Sequence, residues 1–104
     1  MKKILSQADS FDWDKSNQDK SLGKHSVTPK ESEEVFFHRP LLIASDPRHS
    51  EKEKRYLALG QTAQKRQLFL AFTYRSKKIR IISARPMSRR ERKNYEQAKK
   101  NPTI

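Results

Sequence analysis

Apolar residues in this chain come in short runs set between polar stretches, and the period of each run predicts an element. Phe11-Asp12-Trp13 alternates, which predicts a short strand with two aromatics on one face. Asp14 is then placed to cap a helix over 15–24 that is polar except for Leu22 and so belongs on the surface. Thr28-Pro29-Lys30-Glu31 is a sharper start signal. Thr caps, Pro fills the first turn where its missing N–H costs nothing, and Glu reaches back to the cap. The helix that follows, over 29–37, should bury Val35 and Phe36 and stop at Pro40.

The next stretch changes period. Leu41-Leu42-Ile43-Ala44 is a short apolar run ending in the turn residues Ser45-Asp46-Pro47. Arg55 to Gly60 alternates, with Arg55, Leu57 and Leu59 on one face, while Leu68–Arg75 is aromatic-rich and Ile79–Ala84 β-branched. The short connections at 61–67 and 76–78 imply antiparallel hairpins. Ser88-Arg89-Arg90-Glu91 is a second capping box, opening a helix over 89–99. Its apolar residues are Tyr95 and Ala98, a narrow contact that predicts a mobile helix or one that docks a partner. The order of elements predicts an α+β fold, an antiparallel sheet with two N-terminal helices and one C-terminal helix. One domain over 11–99 is expected between a flexible start at 1–10 and a frayed end at 100–104.

Charge changes the picture more than composition does. With 104 residues, 33% apolar and 35% charged, the chain has room for one modest core. The formal charge of +12 is unevenly spread. Residues 1–50 balance eight Lys/Arg against eight Asp/Glu, whereas residues 51–104 hold sixteen against four and so carry the whole excess. That asymmetry points to an acidic partner for the C-terminal half, of which nucleic acid is the commonest kind. The absence of cysteine excludes disulfides and thiolate zinc sites. The apolar run after Met1-Lys2-Lys3 ends at Ile4-Leu5, and no stretch has the length of a membrane span, so a soluble cytoplasmic protein is expected.

Five blocks of residues resemble the BrnT-type toxins of bacterial type II toxin–antitoxin systems. They are Phe11-Asp12-Trp13-Asp14; Lys24-His25 with Val27 and Glu34-Val35-Phe36; Asp46-Pro47 with His49-Ser50; Glu53, Arg55-Tyr56 and Leu59-Gly60; and Ile79 through Arg85 with Ser88, Glu91-Arg92 and Tyr95. Their order and spacing carry the resemblance. Ser26 departs from it, since the family usually has Gly after the Lys-His pair, and a left-handed backbone there would cost Ser what Gly avoids. The resemblance implies a RelE-like fold, a toxin that stops translation by cutting RNA, and a BrnA-type antitoxin that neutralises it. DNA would be bound only through the antitoxin complex.

RNA cleavage without a metal needs a base for the 2′-OH, an acid for the leaving 5′-oxygen and cations for the charge that develops on phosphorus. Arg80 and Arg85 are the first choice for phosphate contacts, because guanidinium meets phosphate in a planar, two-pronged way. Strand alternation puts them on opposite faces unless Arg85 lies past the regular part. Either could instead pair with Glu53 or Glu91 and brace the sheet. Histidine is the residue type suited to exchanging protons near neutrality, which makes His25 a candidate, and Lys24 could hold a phosphate, although His25 could equally cap a helix. Arg55 is a further catalytic candidate, and Tyr56 could stack on a base or simply pack in the sheet. Arg89, Arg90 and Lys93 could steer RNA, or lie on an ordinary solvated helix face.

Trp13, Phe36, Phe69 and Phe72 are assigned to the core, and Tyr95 to anchoring the last helix or to catalysis. No metal-ligand spacing is present, so neither metal nor other cofactor is expected. Two rival functions remain: a non-catalytic RNA-binding module using the basic half, and an interaction protein that binds only an acidic partner.

Overall fold

A computed structural model of the chain describes residues 10–49 and 53–100. The expected flexible start and frayed end therefore fall almost wholly outside the described residues. Strand β1 (Ser10–Phe11) leads into α1 (Lys15–His25) and α2 (Pro29–Val35). Then come β2 (Leu42–Ser45), a 3₁₀ turn at Pro47–His49, β3 (Arg55–Gln61), β4 (Gln67–Arg75), β5 (Lys78–Pro86) and α3 (Arg89–Lys100). The strands form one sheet in the order β1-β5-β4-β3-β2, antiparallel except for the short parallel β1–β5 pair. This is the α+β arrangement that the sequence predicts, with element ends shifted by one or two residues.

Local chemistry explains the helix starts. The Asp14 carboxylate accepts from the Ser16 and Asn17 backbone N–H groups, while the Asn17 side chain accepts from Asp14 N. Thr28 and Glu31 form a complete capping box, as do Ser88 and Glu91. Helix α1 ends where Ser26 turns left-handed at φ 55° while its N–H still donates to Leu22 O. The residue that departs from the expected Gly thus stands at a backbone position that favours Gly.

The core lies on one face of the sheet. Tyr56 and Ala58 of β3, Leu68, Leu70 and Phe72 of β4, and Ile79, Ile81 and Ala84 of β5 pack beneath Val27 and Val35. Phe11, Trp13 and Phe36 close its margin. Gly60 sits where α2 approaches β3 most tightly, and a Cβ there would come within 2.5 Å of Val35 Cγ1. Surface placement of α1 is only half the story. Asn17 is buried, and its Nδ2 donates to Asp12 O and Ile81 O, taking over the edge of β5 where β1 ends.

Three expectations need correction. Phe69 is not in this core; it occupies the opposite face, with the Arg85 guanidinium 4.1 Å above its ring. Helix α3 is held by more than one narrow contact. Tyr95 is fully buried and donates to Pro40 O at 2.6 Å, Glu91 pairs with Arg85, and Gln67 donates to Glu96. Lastly, Arg85 lies inside β5 rather than beyond it.

Two substitutions test these local constraints. Ser26→Gly relieves left-handed strain, offset in part by the extra freedom of the unfolded chain, and should stabilise by about 0.5–1 kcal/mol. Gly60→Ala overpacks the α2–β3 contact and should cost about 1–3 kcal/mol. Chemical denaturation of both variants measures the two effects, and opposite signs are expected.

Candidate functional site

The site begins with an irregularity in β5. Ala71 pairs with Ser83 but its neighbour Phe72 pairs with Ile81, so Ile82 is an extra residue without a cross-strand partner. A bulge of this kind reverses the inside–outside parity of everything beyond it. Arg80 and Arg85, five positions apart, therefore share a face instead of opposing each other. The register adds Arg55 to that face, since Arg55 pairs with Thr73 and Thr73 with Arg80 in one cross-strand row. This is the face opposite α1, α2 and the core, and α3 covers part of it at β3 and around Gln67.

Each principal guanidinium is held by carboxylates. Arg80 lies 2.9 Å from Asp14 Oδ2 and 3.5 Å from Asp12 Oδ1, and its side chain is only 16% exposed. Arg85 makes a two-pronged pair with Glu91, at 2.8 and 2.9 Å, while stacking on Phe69. Bracing by Glu91 is one of the two roles expected of an arginine here; the Arg80 partners Asp12 and Asp14 were not anticipated. Glu53 serves a different arginine, chelating Arg75 at 2.7 and 2.8 Å.

These contacts shift the acids in one direction. The Arg85 pair and the Ser88 backbone N–H hold the Glu91 carboxyl below its ordinary value, against the opposing effect of burial. Asp14 is lowered by the Ser16 hydroxyl, the Asn17 backbone N–H and Arg80, and Glu53 by Arg75.

The candidates divide between the two ends of the sheet. Arg55 and Arg80 lie at the end where β3 begins. Lys24 and His25 close α1, whose eleven residues carry them about 15 Å further along. His25 O and Ser26 O accept from Arg66 in the β3–β4 turn, and Arg66 also pairs with Glu31. Lys24 and His25 are thus at the Arg85 end, and the structure does not bring all five catalytic candidates into one cluster. Arg89, Arg90 and Lys93 are exposed on α3.

Two aromatics have packing roles. Tyr56 is 6% exposed in the core, its ring stacked on Phe72, so it cannot offer a face to a base. The buried Tyr95 hydroxyl is engaged with Pro40 O, and burial pushes it up to about 12, which suits an anchor rather than a proton donor. Among the described residues no three His, Asp or Glu side chains gather as a metal-binding group. No described helix is long and apolar enough to cross a membrane.

Sequence reasoning missed Asn17, Arg75 and Lys78. The hairpin length would have revealed the last two. A two-residue turn at Ser76-Lys77 places Arg75 directly across from Lys78.

The lowered carboxyls predict an acid limit to stability. A group whose pKa falls on folding contributes fully above its unfolded value and loses that contribution as pH drops through the folded one. Stability should therefore hold down to about pH 4.5, the ordinary Glu value, and decline below it. Urea denaturation across this range should show a shallower decline for Glu91→Gln, and identical slopes would refute the role given to the Arg85–Glu91 pair.

A search of curated proteins finds no match to this chain. Against protein families, the model described as ribonuclease toxin, BrnT, of type II toxin-antitoxin system matches residues 13–91. The match spans α1, α2, the strands from β2 onward and the cap of α3, including Arg55, Arg80, Arg85 and Glu91. Because it covers well over half of the sequence, the chain belongs to the BrnT family of ribonuclease toxins of type II toxin–antitoxin systems.

Proposed function

We propose that this protein is a metal-independent endoribonuclease that stops translation by cutting RNA, and that the strand lies along the arginine face of the sheet. The carrying observation is the bulge at Ile82, which aligns Arg80 and Arg85 on one side with Arg55. Arg85 would stabilise the charge on phosphorus as the 2′-oxygen attacks and the bond to the 5′-oxygen breaks, leaving a cyclic phosphate, while Arg80, about 13 Å along the strand, would hold a further phosphate. Arg55 sits across Thr73 from Arg80 and would bind the adjoining phosphate. His25, at the Arg85 end, would take the 2′-OH proton and return one to the leaving 5′-oxygen, with Lys24 beside it on the backbone. Arg89, Arg90 and Lys93 would steer RNA toward this face. The restriction to RNA follows from the need for a 2′-OH.

A BrnA-type antitoxin is the proposed partner, covering the basic surface and supplying any contact with DNA. The cytoplasm is the proposed compartment, where both messenger RNA and antitoxin are found.

One observation favours the rival, non-catalytic reading. Arg80 and Arg85 already satisfy carboxylates, and an arginine that only braces the fold would look the same. Incubation with an RNA oligonucleotide in EDTA separates the two. The enzyme reading expects cleavage that survives chelation, fails on the all-deoxy strand, and falls about 100- to 1,000-fold in Arg85→Ala. Arg85→Lys keeps the charge against Glu91, so its thermal melt separates lost chemistry from lost fold. RNA that is shifted on a gel yet intact would establish the binding module instead. Expression of the chain alone should lower incorporation of labelled amino acids if translation is the target.

A further inference from the structure

The corner of the sheet beyond Arg80 carries a charge arrangement that packing alone would avoid. Arg75 and Lys78 are direct cross-strand partners, and like charges so placed repel. Two residues along the strands, Arg55 and Arg80 flank Thr73 in the next row of the same face. Four cations from three adjacent strands therefore stand in two rows, separated by about 6.6 Å, the rise of two strand residues. Lys77 is exposed at the rim. Lys77 is the second residue of a turn in which both Ser76 and Lys77 have positive φ, at 52° and 63°. Asn-Gly would fill that turn with less strain, so the hairpin gives up local stability while it keeps a cation at its tip.

Glu53 pairs with Arg75, and Asp12 and Asp14 with Arg80, which orients both guanidiniums, while Lys77 and Lys78 keep exposed cations beside them. Glu53 takes the Nε–Nη2 edge of Arg75, so the Nη1 corner points away from the chelate. The Arg75 side chain is 51% exposed, against 16% for Arg80.

We infer that Arg75 and Lys78, with Lys77 at the rim, form a second binding site, one that holds the phosphate backbone of single-stranded RNA beyond the reacting bond. Two evenly stepped rows of cations on a pleated surface suit a polymer with one charge per unit. Irregularly spaced carboxylates of an acidic protein would meet the rows only in part. This inference rests on the proposed arginine face as the path of the RNA, which the corner extends. Arg75 and Lys78 hold the strand and do not touch the bond that breaks.

The test uses a 2′-O-methyl RNA strand, which binds but cannot be cut, with fluorescence anisotropy over a salt series. For Arg75→Ala/Lys78→Ala, the slope of log affinity against log salt should become shallower by about 1.4, at about 0.7 per lost contact on a single strand. Affinity at low salt should fall about tenfold. On cleavable RNA the double variant should show a raised KM with kcat unchanged. Lys78→Glu replaces the cross-strand repulsion with an attraction to Arg75, and should weaken binding while the melting temperature holds or rises. Lys20→Ala/Lys30→Ala, on the opposite helices, should bind as the parent does.

Equal losses in that control pair would reduce the corner to unspecific charge and overturn the inference. So would a double variant that binds like the parent, or poly-glutamate of matched charge competing as well as RNA, which would mark an acidic protein as the occupant. A parent protein that binds the 2′-O-methyl strand with the expected slope, yet never cuts RNA, would refute the proposed activity and leave this site standing.

Discussion

Strand parity is the constraint on which the arginine face depends. Five positions separate Arg80 from Arg85, and in a regular strand an odd interval sends two side chains to opposite sides. With Ile82 inserted, Ile79, Ile81 and Ala84 can all reach the core while both arginines remain outside it. A single residue thus reconciles a continuous apolar seam with a continuous cationic surface. Without it, one arginine would be driven under α1 and α2, where burying an unpaired charge is far more costly than a bulge.

The carboxylates determine how that surface behaves. Arg85, clamped by Glu91 and resting on Phe69, ties the end of β5 to the first turn of α3. Arg80 ties β5 to the cap of α1 through Asp14, so one carboxylate both starts a helix and fixes a guanidinium. Such pairs contribute little stability when exposed, but they restrict rotamers. A positioned guanidinium loses less entropy when it meets a phosphate than a free one does. The pairing therefore fits a brace and a prepared binding group alike.

Much of the architecture was legible because the signals were local. Both capping boxes, the start of α1 at Asp14 and the antiparallel hairpins all follow from a few neighbouring residues. Ser26 was legible too, since the expected Gly pointed at a left-handed turn that the backbone makes. What escaped was non-local. The bulge depends on how β5 registers against Ala71 and Phe72, which periodicity within β5 does not encode. Phe69 and Phe72 stand three positions apart, so alternation sends them to opposite faces, and β4 alone does not say which face is the core. The attachment of α3 was underestimated because it was judged from Tyr95 and Ala98 alone, whereas Glu91 and Glu96 also meet partners in β5 and β4. For the candidate site, the residue types were readable. Their grouping was not, because it requires knowing which end of the sheet α1 reaches.

Asn17 has a bearing on assembly. A strand flanked on one side only by a two-residue partner would leave unpaired carbonyl and amide groups, to which another chain could add a strand of its own. By donating to Ile81 O from within a helix, Asn17 substitutes a side-chain amide for the missing neighbour. That amide belongs to a helix with no main-chain valence to pass on, so the run of β5 groups open to an added strand is shortened at the point where β1 ends.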